Sequence, residues 1–147
     1  MRTKVHIIGK GRWGNIINDS IKSIVKFVKP KEADWIIIST PNDLHYEQVS
    51  YWLGKGKNVF CEKPLTLTYE SAKELYDFAD RMGVKLYVDD VFAWRDDYDI
   101  YDDVNHFVWT KPNQKDINYL DRLAYHHFYM WVRDTNFIIK DITGEPN

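Results

Sequence analysis

The sequence predicts an α/β fold: a doubly wound, mostly parallel sheet followed by a small aromatic-rich C-terminal extension. Three observations carry that expectation. A strand-like run, Val5, Ile7 and Ile8, enters a G-x-G-x-x-G array, Gly9-Lys10-Gly11-Arg12-Trp13-Gly14. Short apolar runs then alternate with stretches of helical periodicity as far as about residue 90, as parallel strands joined by right-handed crossovers require. One run, Trp35-Ile36-Ile37-Ile38, is apolar without a break, which suits a central strand covered on both faces.

The elements follow in order. The first strand stops at Gly9, and Ile16, Ile17, Ile21 and Ile24 then recur at helical spacing. Ile24, Val25, Phe27 and Val28 suggest a short second strand, broken by Lys29-Pro30-Lys31. After the isoleucine strand, Ser39-Thr40-Pro41-Asn42 makes a turn. Asn42 or Asp43 is placed to cap a helix whose apolar face is Leu44, Gln48-Val49 and Trp52-Leu53, with Gly54 and Gly56 to stop it. Asn58-Val59-Phe60 is the next strand. Thr68 is the expected cap of a long helix carrying Ala72, Leu75, Phe78, Ala79 and Met82, ended by Gly83, and residues 84–88 form a last strand.

Composition bounds the answer. The chain has 147 residues, enough for one domain with a sizeable core. Hydrophobic residues are 44% and charged residues 29%, a soluble globular balance. No apolar run has membrane-spanning length, and the N-terminus runs straight into a strand without the apolar stretch of a signal peptide. A formal net charge of −2 gives no electrostatic footprint for nucleic acid. The single cysteine, Cys61, cannot form an internal disulfide and suits a reducing cytoplasm. One cysteine and no tight His/carboxylate cluster fall short of a metal-ligand set.

Two stretches carry chemistry. In the glycine array the first glycine permits a tight turn, the second lets a pyrophosphate approach the backbone, and the third lets helix pack on strand. Free N–H groups at the helix start would hold the phosphates, and Arg12 adds a cation there. A site of the NAD type places an acid at the end of the second strand, about 20 residues on. Here Lys29 and Lys31 stand at that place, either as cations that favour the extra phosphate of NADP or as solvated turn charges. Asp34 has the spacing but opens the following strand. The other stretch is Cys61-Glu62-Lys63-Pro64, where a strand delivers a lysine between a carboxylate and a proline. The proline biases Lys63 toward extended backbone, just outside the carboxyl end of its strand, where ligands of open α/β sheets bind. A lysine there can exchange a proton with a substrate hydroxyl where burial or a neighbouring positive charge lowers its pKa; alone, the tripeptide reads as an ordinary solvated turn.

Taken in order, the glycine array at residues 9–14, the segment Thr40-Pro41-Asn42-Asp43-Leu44-His45 and the segment Gly56-Lys57-Asn58-Val59-Phe60-Cys61-Glu62-Lys63-Pro64 resemble the Gfo/Idh/MocA oxidoreductases. The resemblance covers about residues 3–90. It implies a Rossmann domain over residues 1–90, bound NAD or NADP, and oxidation or reduction of a sugar-like hydroxyl. It gives Lys63 the proton transfer. It lays Glu62 and the Thr40-Pro41-Asn42 turn along the cofactor together with Gly9, Gly11, Arg12, Trp13 and Gly14. His45 matches a frequent histidine of that turn; it reads as first-turn helix structure rather than catalysis and is counted with the cofactor-binding residues.

Residues 91–147 are expected to form a reduced extension in place of the family's large second domain. Within it, residues 118–134 can be helical, and Arg95 follows Phe92 and Trp94 as an arginine often follows an aromatic in the family. Arg122-Leu123-Ala124-Tyr125-His126-His127 faintly resembles a family segment with an aspartate and a histidine four residues on. That implies His126 as a proton relay beside Lys63, with Arg122 where the aspartate belongs and His127 as fallback. The aromatic share of 16% suits an oligomer interface or a pocket lining. The resulting expectation is an NAD(P)-dependent sugar or nucleotide-sugar oxidoreductase, cytoplasmic and homo-oligomeric. The alternative is a family member reduced to a nucleotide-binding or interaction module.

Overall fold

A computed structural model of the chain describes residues 1–89. Five parallel strands, β1 (Lys4–Ile8), β2 (Lys26–Phe27), β3 (Trp35–Ile38), β4 (Asn58–Glu62) and β5 (Leu86–Asp89), form one sheet in the order β2-β1-β3-β4-β5. Helix α1 (Arg12–Ile21) joins β1 to β2, α2 (His45–Gly54) joins β3 to β4, and α3 (Tyr69–Met82) joins β4 to β5. The chain moves outward from β1 in one direction and from β3 in the other. Right-handed crossovers therefore put α1 on one face and α2 with α3 on the other. The doubly wound α/β expectation holds. Among the described residues no helix is long and apolar enough to cross a membrane.

The core lies under α2 and α3. Ile36, Ile38, Val49, Leu53, Val59, Cys61, Leu75, Ala79 and Leu86 are buried together. Ile36 and Ile38 are fully buried and Ile37, facing the other way, nearly so, as the unbroken apolar run required. Helix α3 is bounded as expected. The Thr68 Oγ1 accepts the Ser71 N–H, and Gly83 turns left-handed at φ 65°.

Three local expectations are corrected. The second strand is only two residues long, and Ile24 stands 67% exposed in the turn before it. Neither Asn42 nor Asp43 caps α2. A 3-10 turn, Asn42–Leu44, precedes the helix, and no side chain caps its first residues. Leu44 is accordingly half-exposed, and the buried face of α2 is His45, Val49 and Leu53, one residue round from the expected one.

The connection from β2 to β3 has no helix. Residues 28–34 cross β1 with a single 3-10 turn, Pro30–Glu32. So short a crossover is possible because β2 is short. It pairs only with Lys4 and Val5, so the chain has little length to climb back down.

Candidate functional site

The strand register fixes which residues share an edge. Ile8 of β1 lies beside Ile38 of β3, which lies beside Cys61 of β4. The chain leaves β1 into Gly9 and leaves β4, after Glu62, into Lys63. Both leave at the carboxyl edge, with β3 between them. Two strand spacings of ~4.8 Å put the glycine turn and the Lys63 backbone about 10 Å apart across that edge. The Thr40-Pro41 turn follows β3 and fills the gap.

The glycine turn has the form of a phosphate cradle. Gly9 adopts φ 111°, and a Cβ there would lie 2.5 Å from the Ser39 carbonyl oxygen. A Cβ on Gly14 would lie 2.1 Å from the Gly9 carbonyl oxygen. Both glycines are therefore required by the contact of turn, helix and β3. Ser39, which the sequence reading did not single out, locks the same contact: its hydroxyl donates to Ile8 O at 3.2 Å and lies 3.4 Å from Gly9 O. Gly11 differs. A Cβ there meets nothing within 4 Å, so the space before it is open. Gly11 is the N-cap of α1, no side chain caps the helix, and its first turn holds no acid. Uncapped N–H groups facing open space suit a pyrophosphate. Arg12 opens the helix and Trp13 stands 51% exposed beside it. A cavity of about 860 Å³ runs from Gly9, Lys10 and Gly14 past Asn18 to residues 26–30 and Glu32.

At the other end of the edge, the Lys63-Pro64 peptide is cis. The Lys63 N–H donates to Glu62 Oε2 at 3.3 Å. The other carboxyl oxygen, Oε1, is buried and has no hydrogen bond of ordinary geometry among the described residues. Burial first, and then the neighbouring Asp89 carboxyl, push the Glu62 acid up to about 8. Asp89 is its register partner at the end of β5, so the two side chains leave adjacent strands on one face. Sequence reasoning missed Asp89. Its signal was positional: the last residue of the strand after the lysine strand. Burial, then the nearby Glu62 charge, also raises the Cys61 thiol, which keeps it an inert core residue.

His45 is fully buried, the one buried polar residue among those described. Its Nδ1 lies 2.8 Å from the Pro64 carbonyl and its Nε2 lies 2.9 Å from the Thr40 carbonyl. The ring thus spans from the Thr40-Pro41 turn to the Lys63-Pro64 turn, and its burial leaves it inside the fold rather than on the cleft surface. The Thr40 hydroxyl donates to Gln48 Oε1 at 2.8 Å and anchors the turn to α2 from the other side. Asp34 is spent at the opposite edge, where its Oδ2 accepts the Lys4 N–H at 3.2 Å. His126, His127, Arg122 and Arg95 lie outside the described residues.

Comparison with known proteins agrees with this fold. The family model described as "Oxidoreductase family, NAD-binding Rossmann fold" (GFO_IDH_MocA) matches residues 4–90. A 1,5-anhydro-D-fructose reductase from Ensifer adhaerens is 40% identical over 72 residues, which are 49% of this chain and 22% of that protein. A D-glucoside 3-dehydrogenase from Escherichia coli (strain K12) is 35% identical over 79 residues, 53% of this chain and 22% of that protein. The chain thus matches about a fifth of the length of these relatives. A UDP-N-acetylglucosamine 3-dehydrogenase from Acidithiobacillus ferrooxidans has the same fold, with TM-score 0.57 and 18% identity over 63% of this chain and 39% of that one.

Proposed function

We propose that this chain, which belongs to the Gfo/Idh/MocA oxidoreductase family with its NAD-binding Rossmann fold, serves hydride transfer between nicotinamide and a sugar or nucleotide-sugar hydroxyl or carbonyl carbon. The observation that carries the reading is the shared edge: Lys63 and the Gly9–Gly14 turn leave the sheet on one side, about 10 Å apart. Relatives whose names specify sugar reduction and sugar oxidation support the substrate class.

The residues divide the work. Gly11 and the uncapped N–H groups of α1 hold the pyrophosphate, with Arg12 and Trp13 beside it. The Thr40-Pro41-Asn42 turn and Glu62 lie along the path from there to Lys63, and His45 fixes that path from beneath. The bound dinucleotide supplies the hydride acceptor or donor. In the oxidising direction the Lys63 amine takes the hydroxyl proton as hydride leaves the same carbon. In the reducing direction its ammonium returns that proton to the carbonyl oxygen. His126 enters on the family resemblance alone, as a relay for the Lys63 proton. The division into a dinucleotide-binding part, residues 1–90, and an extension, residues 91–147, belongs to the same proposal, as do a cytoplasmic setting and a homo-oligomer.

The test is a titration with NADH and NADPH, followed by a screen of sugars and nucleotide-sugars for the absorbance change of nicotinamide. Lys63→Ala is expected to remove turnover, by about a hundredfold or more, while sparing dinucleotide affinity. Turnover unchanged in that variant would take Lys63 out of the mechanism. Binding with no turnover on any sugar would leave a dinucleotide-binding module.

A further inference from the structure

We infer that the dinucleotide site is built for the cofactor bearing a 2′-phosphate, NADP, and that Lys29, flanked by Lys26 and Lys10, receives that phosphate. The inference rests on the nicotinamide reading above and adds to it the choice between the two dinucleotides.

Five observations meet here. Lys10, Lys26 and Lys29 line the same cavity as Gly9 and Gly14, so they flank the continuation of the pyrophosphate cradle rather than a separate surface. The end of β2 is pinned beside β1: the Val28 N–H donates to Val5 O at 3.0 Å, and His6 Nδ1 lies 2.9 Å from Val28 O. The residue after that pinned end, where a site of the NAD type carries its ribose-binding acid, is Lys29. Pro30 follows at once, so Lys29 is held in extended backbone, φ −66° and ψ 154°, at the mouth of the 3-10 turn. Lastly, none of the three ammonium groups has a hydrogen bond or ion pair among the described residues, whereas Lys22, Lys57 and Lys73 do.

The acids of this region are drawn elsewhere. Asp34 is bound at the amino edge by Lys4. Glu32 is the one carboxylate on the cavity, but it stands at the far end of the 3-10 turn, and two residues on the Asp34 N–H already donates to Lys4 O at the amino edge. A ribose diol at the end of β2 would meet ammonium groups, which cannot accept its hydroxyl protons. A phosphate dianion there would meet three cations against one anion. Lysine binds phosphate as a point charge, and at exposed positions the attraction is modest per residue and screened by salt.

The test is equilibrium titration of the full chain with NADPH and NADH, followed by tryptophan fluorescence, at low and at physiological salt. NADPH is expected to bind at least about tenfold more tightly at low salt, with the gap narrowing as salt rises. Adenosine 2′,5′-bisphosphate should displace NADPH better than adenosine 5′-monophosphate does. Lys29→Glu is expected to weaken NADPH by about tenfold and leave NADH within about twofold, with an unchanged circular dichroism spectrum. Equal or tighter NADH binding, or NADPH affinity unmoved by Lys29→Glu, would overturn the inference and leave the nicotinamide reading standing. So would Glu32→Gln weakening NADH, because it would assign the ribose to that carboxylate. Failure of both dinucleotides to bind would overturn the nicotinamide reading together with this one.

Discussion

The two halves of the sheet are built to different standards. On the β3–β4–β5 side, two isoleucines, Val49, Leu53, Val59, Leu75, Ala79 and Leu86 close an apolar core under α2 and α3. On the β1–β2 side, α1 buries only Gly14, β1 buries only Val5, and β2 buries nothing. Trp13, Ile16, Ile24 and Phe27 are all exposed there. The packed half holds the lysine turn still, and the thin half leaves a charged cleft beside the glycine turn. A scaffold for proton transfer needs a fixed donor, whereas a dinucleotide site needs reachable N–H groups and open volume.

The comparison breaks first on stability. Ile36→Ala, at a fully buried position, is expected to cost about 2–5 kcal/mol, and Ile16→Ala, on the thin half, less than about 1 kcal/mol. Urea denaturation of the two variants measures it. Equal losses would mean that α1 is packed as firmly as the core around β3.

The glycines sharpen it next. Gly14→Ala drives a Cβ against the Gly9 carbonyl, backbone against backbone, and is expected to destabilise the fold and remove dinucleotide binding together. Gly11→Ala meets no protein atom and has an ordinary φ of −72°. It should keep stability within about 1 kcal/mol while weakening the dinucleotide, since its methyl enters the space proposed for the pyrophosphate. Calorimetric melting beside ligand titration separates the two. Unchanged affinity in Gly11→Ala would move the phosphates away from this turn.

The smallest effect is in pH. Glu62 holds its proton to about 8 in the fold, well above its ordinary 4.5. Between those values the folded chain binds more protons than the unfolded one, so this residue's contribution to stability falls as pH rises through the window. Glu62→Gln should flatten the decline between pH 5 and 8 in denaturation curves. A decline of the same slope in the variant would assign it to another group.

Much of this was legible in the sequence, for reasons that differ by region. The isoleucine run could only be a covered central strand, and Thr68 and Gly83 bound α3 by local chemistry that needs no tertiary partner. The glycine array and Lys63 fell on one edge because strands alternating with helices run parallel and so all end at the same edge. The rest depended on contacts between distant residues. Ile24 and Val25 look like strand, but no partner strand covers them, so pairing begins only at Lys26. The Thr40-Pro41 turn runs on as a 3-10 turn and shifts the face of α2 by one residue, which puts His45 inside. The i, i+4, i+8 spacing of His45, Val49 and Leu53 was the available signal for that burial. Glu62 and Asp89 lie 27 residues apart in sequence and meet only through the register of β4 and β5.

The central claim is that the glycine turn and Lys63 face one crevice. Titrating ¹⁵N-labelled protein with NADPH and following the amides of Gly11, Gly14, Thr40 and Lys63 tests it directly. All four resonances should move along a single saturation curve. Movement at Gly11 and Gly14, with Thr40 and Lys63 unmoved at saturation, would contradict the account.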